Sequence, residues 1–371
     1  MAKENITIIG GGNGAHAMAA DLALAGHAVT LFEFPGFAPK MNLVLDSGAI
    51  EFHAGSTHQV VHLARATTDI ALALREATWV MVVVPSFGHE AAARACAPHL
   101  QDGQRIAIFA GTFGSIVFRH TLNQQNCRAK VHVIETSTLP YGARMEGPGV
   151  VDCPLRAVRV LAAAFPADGQ SVPLKSLQEI FPVISPGRNV AEVALSNVNP
   201  IVHPVGALLN AGRIEYSKGE FFLYEEGITQ SVAKAIRAMH REFTAVGEAI
   251  GVEPAQYDEK DFAPPTSITS TEFRSEFDTP RVIAGFKGPF NIKEDRYVSE
   301  DVPYGLVPVA SLADLVCVEV PTVRATIQLF SVMNDTNYWE QGWTCEKLGI
   351  NDLNVEQLQQ YFQYGSTLVR S

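Results

Sequence analysis

The sequence is short of positive charge. Its 28 Lys and Arg stand against 39 Asp and Glu, a formal net charge of −11 at pH 7. A chain this acidic is a poor match for the phosphates of nucleic acid or for an anionic membrane surface, so neither is expected as a partner. Cysteine is sparse too. The five residues Cys96, Cys127, Cys153, Cys317 and Cys345 include no CxxC pair. An odd count at wide spacing suggests neither a disulfide framework nor a zinc site. No metal is expected, and the thiols read as those of a reduced, cytoplasmic protein. No apolar run approaches the ~18 residues of a membrane helix. The apolar stretch after Met1-Ala2-Lys3-Glu4-Asn5 is too short for a signal peptide and leads straight into glycines. It is expected to be the first element of the fold. Internal repeats and low-complexity segments are absent as well.

What is present is enough apolar surface for cores. Hydrophobic residues make up 47% of 371, which excludes disorder as the default and suggests about two domains. Ile6 to Ile9 reads as a buried parallel strand, Gly10 to Gly14 as a turn, and Ala15 to Ala25 as a helix ended by Gly26. Ala28 to Phe32 completes a βαβ unit. A hairpin or a pair of short strands is expected within 50–64, and helices at Asp69 to Ala77 and Glu90 to Leu100. Strands are expected at Trp79 to Val84, Arg105 to Phe109 and Val131 to Ile134. Alternating strands and helices predict an α/β fold: a Rossmann-type, doubly wound parallel sheet. Beyond about residue 188 the pattern turns helical over 190–213, 225–250 and 308–333. Residues 1–187 are therefore assigned to a dinucleotide-binding domain. Residues 188–371 are assigned to an all-helical, catalytic and substrate-binding C-terminal domain.

Gly10-Gly11-Gly12-Asn13-Gly14-Ala15 fits GxGxxG/A, with Gly10, Gly12 and Ala15 in the key positions. Gly10 permits the tight turn, Gly12 lets a pyrophosphate approach the backbone, and Ala15 lets helix and strand pack closely. Asn13 and Gly14 complete the turn at the helix N-terminus, whose free N–H groups attract phosphate. Glu33 ends the next strand, about 20 residues on, where an acid can bond ribose hydroxyls. The alternative for Glu33 is a solvated strand-end acid. A carboxylate there repels a 2′-phosphate, so NAD is favoured, with NADP retained as the second choice. The loops at Pro85 and Gly111 follow strands on the same sheet edge. They read either as the wall around the nicotinamide or as ordinary turns.

The second domain holds Ser196-Asn197-Val198-Asn199-Pro200-Ile201-Val202-His203-Pro204 and, further on, Arg296-Tyr297-Val298-Ser299-Glu300-Asp301. Hydride transfer to a C=O or C=N bond needs an acid, and histidine serves near neutral pH. From the residues alone His203 is either that acid or a packed structural histidine. Tyr224 and the Phe221-Phe222 pair read as core or interface, and Glu225-Glu226 as a solvated helix start.

Several of these runs resemble the opine dehydrogenase family: Gly12-Asn13-Gly14-Ala15-His16-Ala17, Glu135-Thr136-Ser137, Asn197-Val198-Asn199 with His203-Pro204, Tyr224-Glu225-Glu226-Gly227-Ile228-Thr229, and Arg296-Tyr297 with Glu300-Asp301-Val302. The resemblance spans about residues 5–350. It implies NAD(P)H-dependent condensation of an amino acid or amine with a 2-keto acid through an imine, and the reverse oxidation. It also implies that His203 is the general acid/base, Asp301 its acidic partner and Arg296 the holder of the keto-acid carboxylate. The segment Thr138 to Arg144 departs from the family pattern, which leaves the amine donor open. Arg144 reads as a second carboxylate holder or as an exposed ion-pairing residue. Two alternatives stand beside this reading: a plain 2-keto/2-hydroxy acid reductase, and a non-catalytic NAD-binding module. A homodimer is expected by base rate.

Overall fold

The computed structural model describes residues 3–262 and 268–367. The chain divides into two compact units. The first runs to Pro186 and takes in Phe273–Phe277; the second comprises the rest from Gly187 onward.

Strands of the first unit begin with β1 (Asn5–Ile9), β2 (Ala28–Phe32), β3 (Ala49–Ala54) and β4 (Thr57–His62). They continue with β5 (Arg65–Thr67), β6 (Trp79–Val82), β7 (Arg105–Ile108) and β8 (His132–Thr136). The last are β9 (Tyr141–Gly147), β10 (Val150–Ala157), β11 (Val160–Phe165), β12 (Ile184–Pro186) and β13 (Phe273–Arg274). Eight form one sheet in the order β12-β11-β8-β7-β6-β1-β2-β5. Its stretch β5-β2-β1-β6-β7-β8 is the doubly wound order, whose chain direction of winding reverses between β1 and β6. All its pairings are parallel except β8 with β11, which is antiparallel. The sheet is therefore not purely parallel, a feature the sequence pattern did not show.

Burial explains which strands were legible. Every residue of β6 is buried, and so are four of the five in β1. Strands covered on both faces read as continuous apolar runs. β10 instead alternates buried and half-buried residues, as a strand with one covered face must. It lies in a second, five-stranded sheet of order β13-β10-β3-β4, with β9 beside β10. The expected hairpin is β3–β4, in register from Ala49↔His62 to Ala54↔Thr57. Its other partners come from 141–157 and from 273–274. That pairing of β13 with β10 is why Phe273–Phe277 belongs to the first unit, although the sequence placed it in the second domain.

The second unit is helical. Its longest helix, Gln230–Ala249, buries Val232, Ala233, Ile236, Met239, His240, Phe243 and Val246, one stripe at helical spacing. It packs against the helix Asn199–Leu209. Glu242, from the long helix, accepts the Thr322 and Val323 amides at 2.9 Å each and so caps the helix Pro321–Met333. The segment 190–213 is broken into Val190–Leu195, Asn199–Leu209 and a helix starting at Ala211. Asn189 caps the first of these through its side chain, and Pro200 opens the second, where its missing N–H costs nothing. Two π-helical turns, Leu223–Gly227 and Val302–Leu306, are the only ones among the described residues.

Candidate active site

In the first unit the strand β1 feeds Gly10 into the helix Asn13–Leu24. Gly10 has φ +119°, and a Cβ there would lie 2.4 Å from the Val83 carbonyl oxygen. Only glycine fits that turn. Gly12 is the N-cap, and nothing lies within 4 Å of where its Cβ would be. No side chain caps the helix and no acid stands in its first turn. The Gly12 position is thus open at the positive end of a three-turn helix, which fits the pyrophosphate of a dinucleotide. Ala15 is fully buried against the sheet. Gly14 sits against the Leu139 side chain, where a Cβ would meet it at 2.3 Å. The Asn13 side-chain oxygen accepts the Met145 amide at 3.0 Å, so this residue ties the turn to β9.

Glu33 directly follows β2. It is half-buried, and its carboxylate accepts the Phe34 amide at 2.7 Å beside Gly11. Burial raises its pKa above the ordinary value; the bonds from the Phe34 and Gly11 amides oppose that shift. Pro85 comes three residues after β6 and Gly111 three residues after β7. Both are at carboxyl ends of strands, the edge where ligands bind in this topology. Under Gly111 lies Glu135, fully buried at the end of β8. It accepts the Phe113 amide at 2.8 Å, the Ser115 amide at 2.9 Å and the Ser115 hydroxyl at 2.7 Å. Burial pushes its pKa up to about 7 despite these three donors. The carboxyl thus shapes the 111–115 loop from below. His16 is buried, with Nδ1 3.1 Å from the Gly12 carbonyl, and burial lowers its pKa.

In the second unit His203 lies in the helix Asn199–Leu209, followed by Pro204 inside that helix. Its Nδ1 is 2.8 Å from Asp301 Oδ2 and its Nε2 is 2.8 Å from the Tyr224 hydroxyl. The Tyr297 ring stacks flat on the imidazole, centroids 3.8 Å apart and planes 2° from parallel. Close packing of small residues brings these pieces together. A Cβ on Gly206 would meet Leu223 at 2.9 Å, and one on Gly305 would meet Pro200 at 2.5 Å. Both π-helical turns can therefore press onto the His203 helix, one carrying Tyr224 and the other beginning just after Asp301.

Burial raises the Asp301 pKa, opposed by the bond to His203. Arg296 begins a short helix, and its Nε donates to Glu300 at 2.6 Å. Glu300 is buried while the Arg296 side chain is 62% exposed, so the guanidinium is anchored at one edge and open to solvent. Beside Glu300 its pKa is held above the ordinary value.

The structure thus brings His203, Asp301 and Arg296 into one neighbourhood. Gly10, Gly12, Asn13, Gly14, Ala15, Glu33, Pro85 and Gly111 follow the ends of β1, β2, β6 and β7. Sequence reasoning missed Tyr224 and Tyr297 as partners of the histidine. Tyr224 lies in one of the family-like motifs, but its sequence surroundings read as core; nothing in the spacing marks Tyr297 as a stacking ring. Arg144 is exposed on β9. Among the described residues no three His, Cys, Asp or Glu side chains could hold a metal together, and no helix is long and apolar enough to cross a membrane.

Comparison with known proteins bears on the family and the fold. The family model for the alpha-helical domain of NAD/NADP octopine/nopaline dehydrogenases matches residues 186–334. An opine dehydrogenase of Arthrobacter sp. (strain 1C) is 33% identical over 358 residues, 95% of this chain and 97% of that protein. A solved octopine dehydrogenase, in complex with NADH and agmatine, matches with a TM-score of 0.70 at 20% identity. That match covers 96% of this chain and 98% of the other. A ketopantoate reductase from Ralstonia eutropha JMP134 matches with a TM-score of 0.60 at 18% identity, covering 89% and 98%. These two structural likenesses bear on the fold alone.

Proposed function

The chain belongs to the opine dehydrogenase family and is an NAD(P)-dependent oxidoreductase, and from that premise we propose that it condenses an amino acid or amine with a 2-keto acid and reduces the resulting imine to a secondary amine. The observation that carries the site assignment is the part-buried His203–Asp301 bond, with Arg296 five residues before the aspartate.

Residues 1–187 bind the dinucleotide and residues 188–371 hold the substrates. Gly10, Gly12, Asn13, Gly14 and Ala15 form the phosphate turn. Glu33 bonds the adenosine ribose, and its carboxylate favours NAD over NADP. Pro85 and Gly111 line the nicotinamide end. When bound, the nicotinamide supplies the hydride, or accepts it in the reverse direction. Arg296 binds the keto-acid carboxylate through the edge of its guanidinium that Glu300 leaves free. The amine adds to the keto carbon, water leaves, and a C=N bond forms. His203 supplies the proton that the nitrogen needs, and Asp301 fixes the imidazole tautomer and stabilises the imidazolium. The five free cysteines support a reducing, cytoplasmic setting, and a homodimer follows the commonest symmetry of soluble enzymes.

The test follows NADH oxidation by the purified protein with pyruvate or another 2-keto acid, with and without a pool of amino acids and small amines. Consumption that requires the pool is expected, and fractionating the pool then names the donor. Consumption with keto acid alone would make the protein a hydroxy-acid-forming reductase instead.

A further inference from the structure

His203 has no open nitrogen. Nδ1 is taken by Asp301 and Nε2 by the Tyr224 hydroxyl, both at 2.8 Å, and Tyr297 covers a face of the ring. A substrate can reach this imidazole in one of two ways. Either Tyr224 moves aside, or the proton passes through it.

The backbone around Tyr224 opposes movement. Tyr224 is 6% exposed and sits in the π-helical turn Leu223–Gly227. The turn is tied at both ends: the Leu223 amide donates to the Gly288 carbonyl at 3.2 Å, and Asn210 Nδ2 donates to the Gly227 carbonyl at 3.0 Å. Leu223 itself is locked against Gly206. The second π-helical turn starts immediately after Asp301, the histidine's other partner. Single π-turns are rare and concentrate at functional sites. Here each of the two places one hydrogen-bond partner of the same imidazole. A phenol hydroxyl donates and accepts at once, so it can pass on a proton without holding a charge.

We infer that Tyr224 is the relay through which His203 exchanges its proton with the substrate nitrogen; this rests on the acid–base role proposed above for His203. In the reductive direction the Nε2–H bond of the imidazolium breaks and its proton joins the Tyr224 oxygen. In the same motion the Tyr224 O–H bond breaks and that proton joins the imine nitrogen. The electron pair of the broken N–H bond stays on Nε2, the Nδ1 proton stays with the Asp301 bond, and Tyr224 is unchanged. The oxidative direction runs the same steps backward.

The experiment measures turnover of the full chain with NADH, a keto acid and an active amine, in mixtures of H2O and D2O. The wild type is expected to show a bowed dependence on deuterium fraction, the mark of two protons in flight. Tyr224→Phe keeps the ring and its packing. It is expected to lose roughly 10²-fold in kcat, with unchanged KM for NADH and unchanged melting temperature, and to give a linear dependence. Full turnover in Tyr224→Phe would show a cap that substrate displaces and would overturn the relay, as would a linear dependence in the wild type, which needs no variant to fold. His203→Ala separates the two levels. Loss of turnover there with full activity in Tyr224→Phe overturns the relay alone, whereas full activity in His203→Ala removes the acid–base role and the relay together.

Discussion

The glycine turn of the first unit and the histidine site of the second are constructed differently. The turn uses neighbours in sequence: residues 10–15 supply the bend after the strand, the N-cap and the start of the first helical turn. The histidine site uses residues far apart. Asp301 lies 98 positions from His203, and Tyr224 lies 21. One is held by backbone conformation; the other depends on two helical turns packed onto a third element. A local site of the first kind tolerates changes elsewhere in the chain. A site of the second kind concentrates its chemistry in a few side chains that must stay in register.

That contrast can be broken by substitution, beginning with the largest effect. His203→Ala is expected to lower kcat by about 10³-fold while NADH affinity, read by fluorescence titration, stays within twofold. A parallel loss of NADH affinity would mean that the two sites are not separable. Asp301→Asn leaves the imidazole but spoils its tautomer control, so a kcat loss of roughly 10²-fold is expected, again with NADH binding intact. Glu33→Ser acts only on the first site. It should move the NADH:NADPH preference in kcat/KM by about tenfold toward NADPH, because it removes a carboxylate that repels a 2′-phosphate; an unmoved ratio would assign Glu33 to structure.

Gly10→Ala tests backbone rather than chemistry. A φ of +119° and a clash with the Val83 carbonyl predict a cost of about 1–3 kcal/mol, seen as a lower melting temperature together with weaker NADH binding. The remaining effect is a pH dependence and concerns Glu135. Its pKa rises from an ordinary 4.5 to about 7 on folding, so the folded state binds the proton more tightly. Its contribution to stability is complete below about pH 4.5 and is lost as pH rises through about 7. The melting-temperature difference between wild type and Glu135→Gln should therefore shift across that window, moving against the wild type as pH rises. A flat difference would show that folding leaves the carboxyl's titration unchanged.

The same contrast explains what could be read before any coordinates. Gly10, Gly12 and Glu33 were legible because a turn and the strand after it lie within one βαβ unit. β1 and β6 were legible because burial on both faces makes them uniformly apolar. β9, β10 and β13 were not, since their sheet is assembled from 141–157 and 273–274 and alternates in burial. His203, Asp301 and Arg296 came from family resemblance, because no spacing rule links residue 203 to residue 301. Tyr224 looked like core because it is buried; only the hydroxyl's position beside Nε2 distinguishes it from a packing tyrosine. The breaks within 190–213 were hidden by an apolar pattern that continues across Asn197 and Asn210.

The most direct measurement of the central claim uses NADH deuterated at the transferable position, with a 2-keto acid and the active amine in ordinary water, and locates the label by mass spectrometry. The account predicts a secondary amine carrying one deuterium on the carbon that was the keto carbon. Deuterium in a 2-hydroxy acid, with no secondary amine formed, would contradict it.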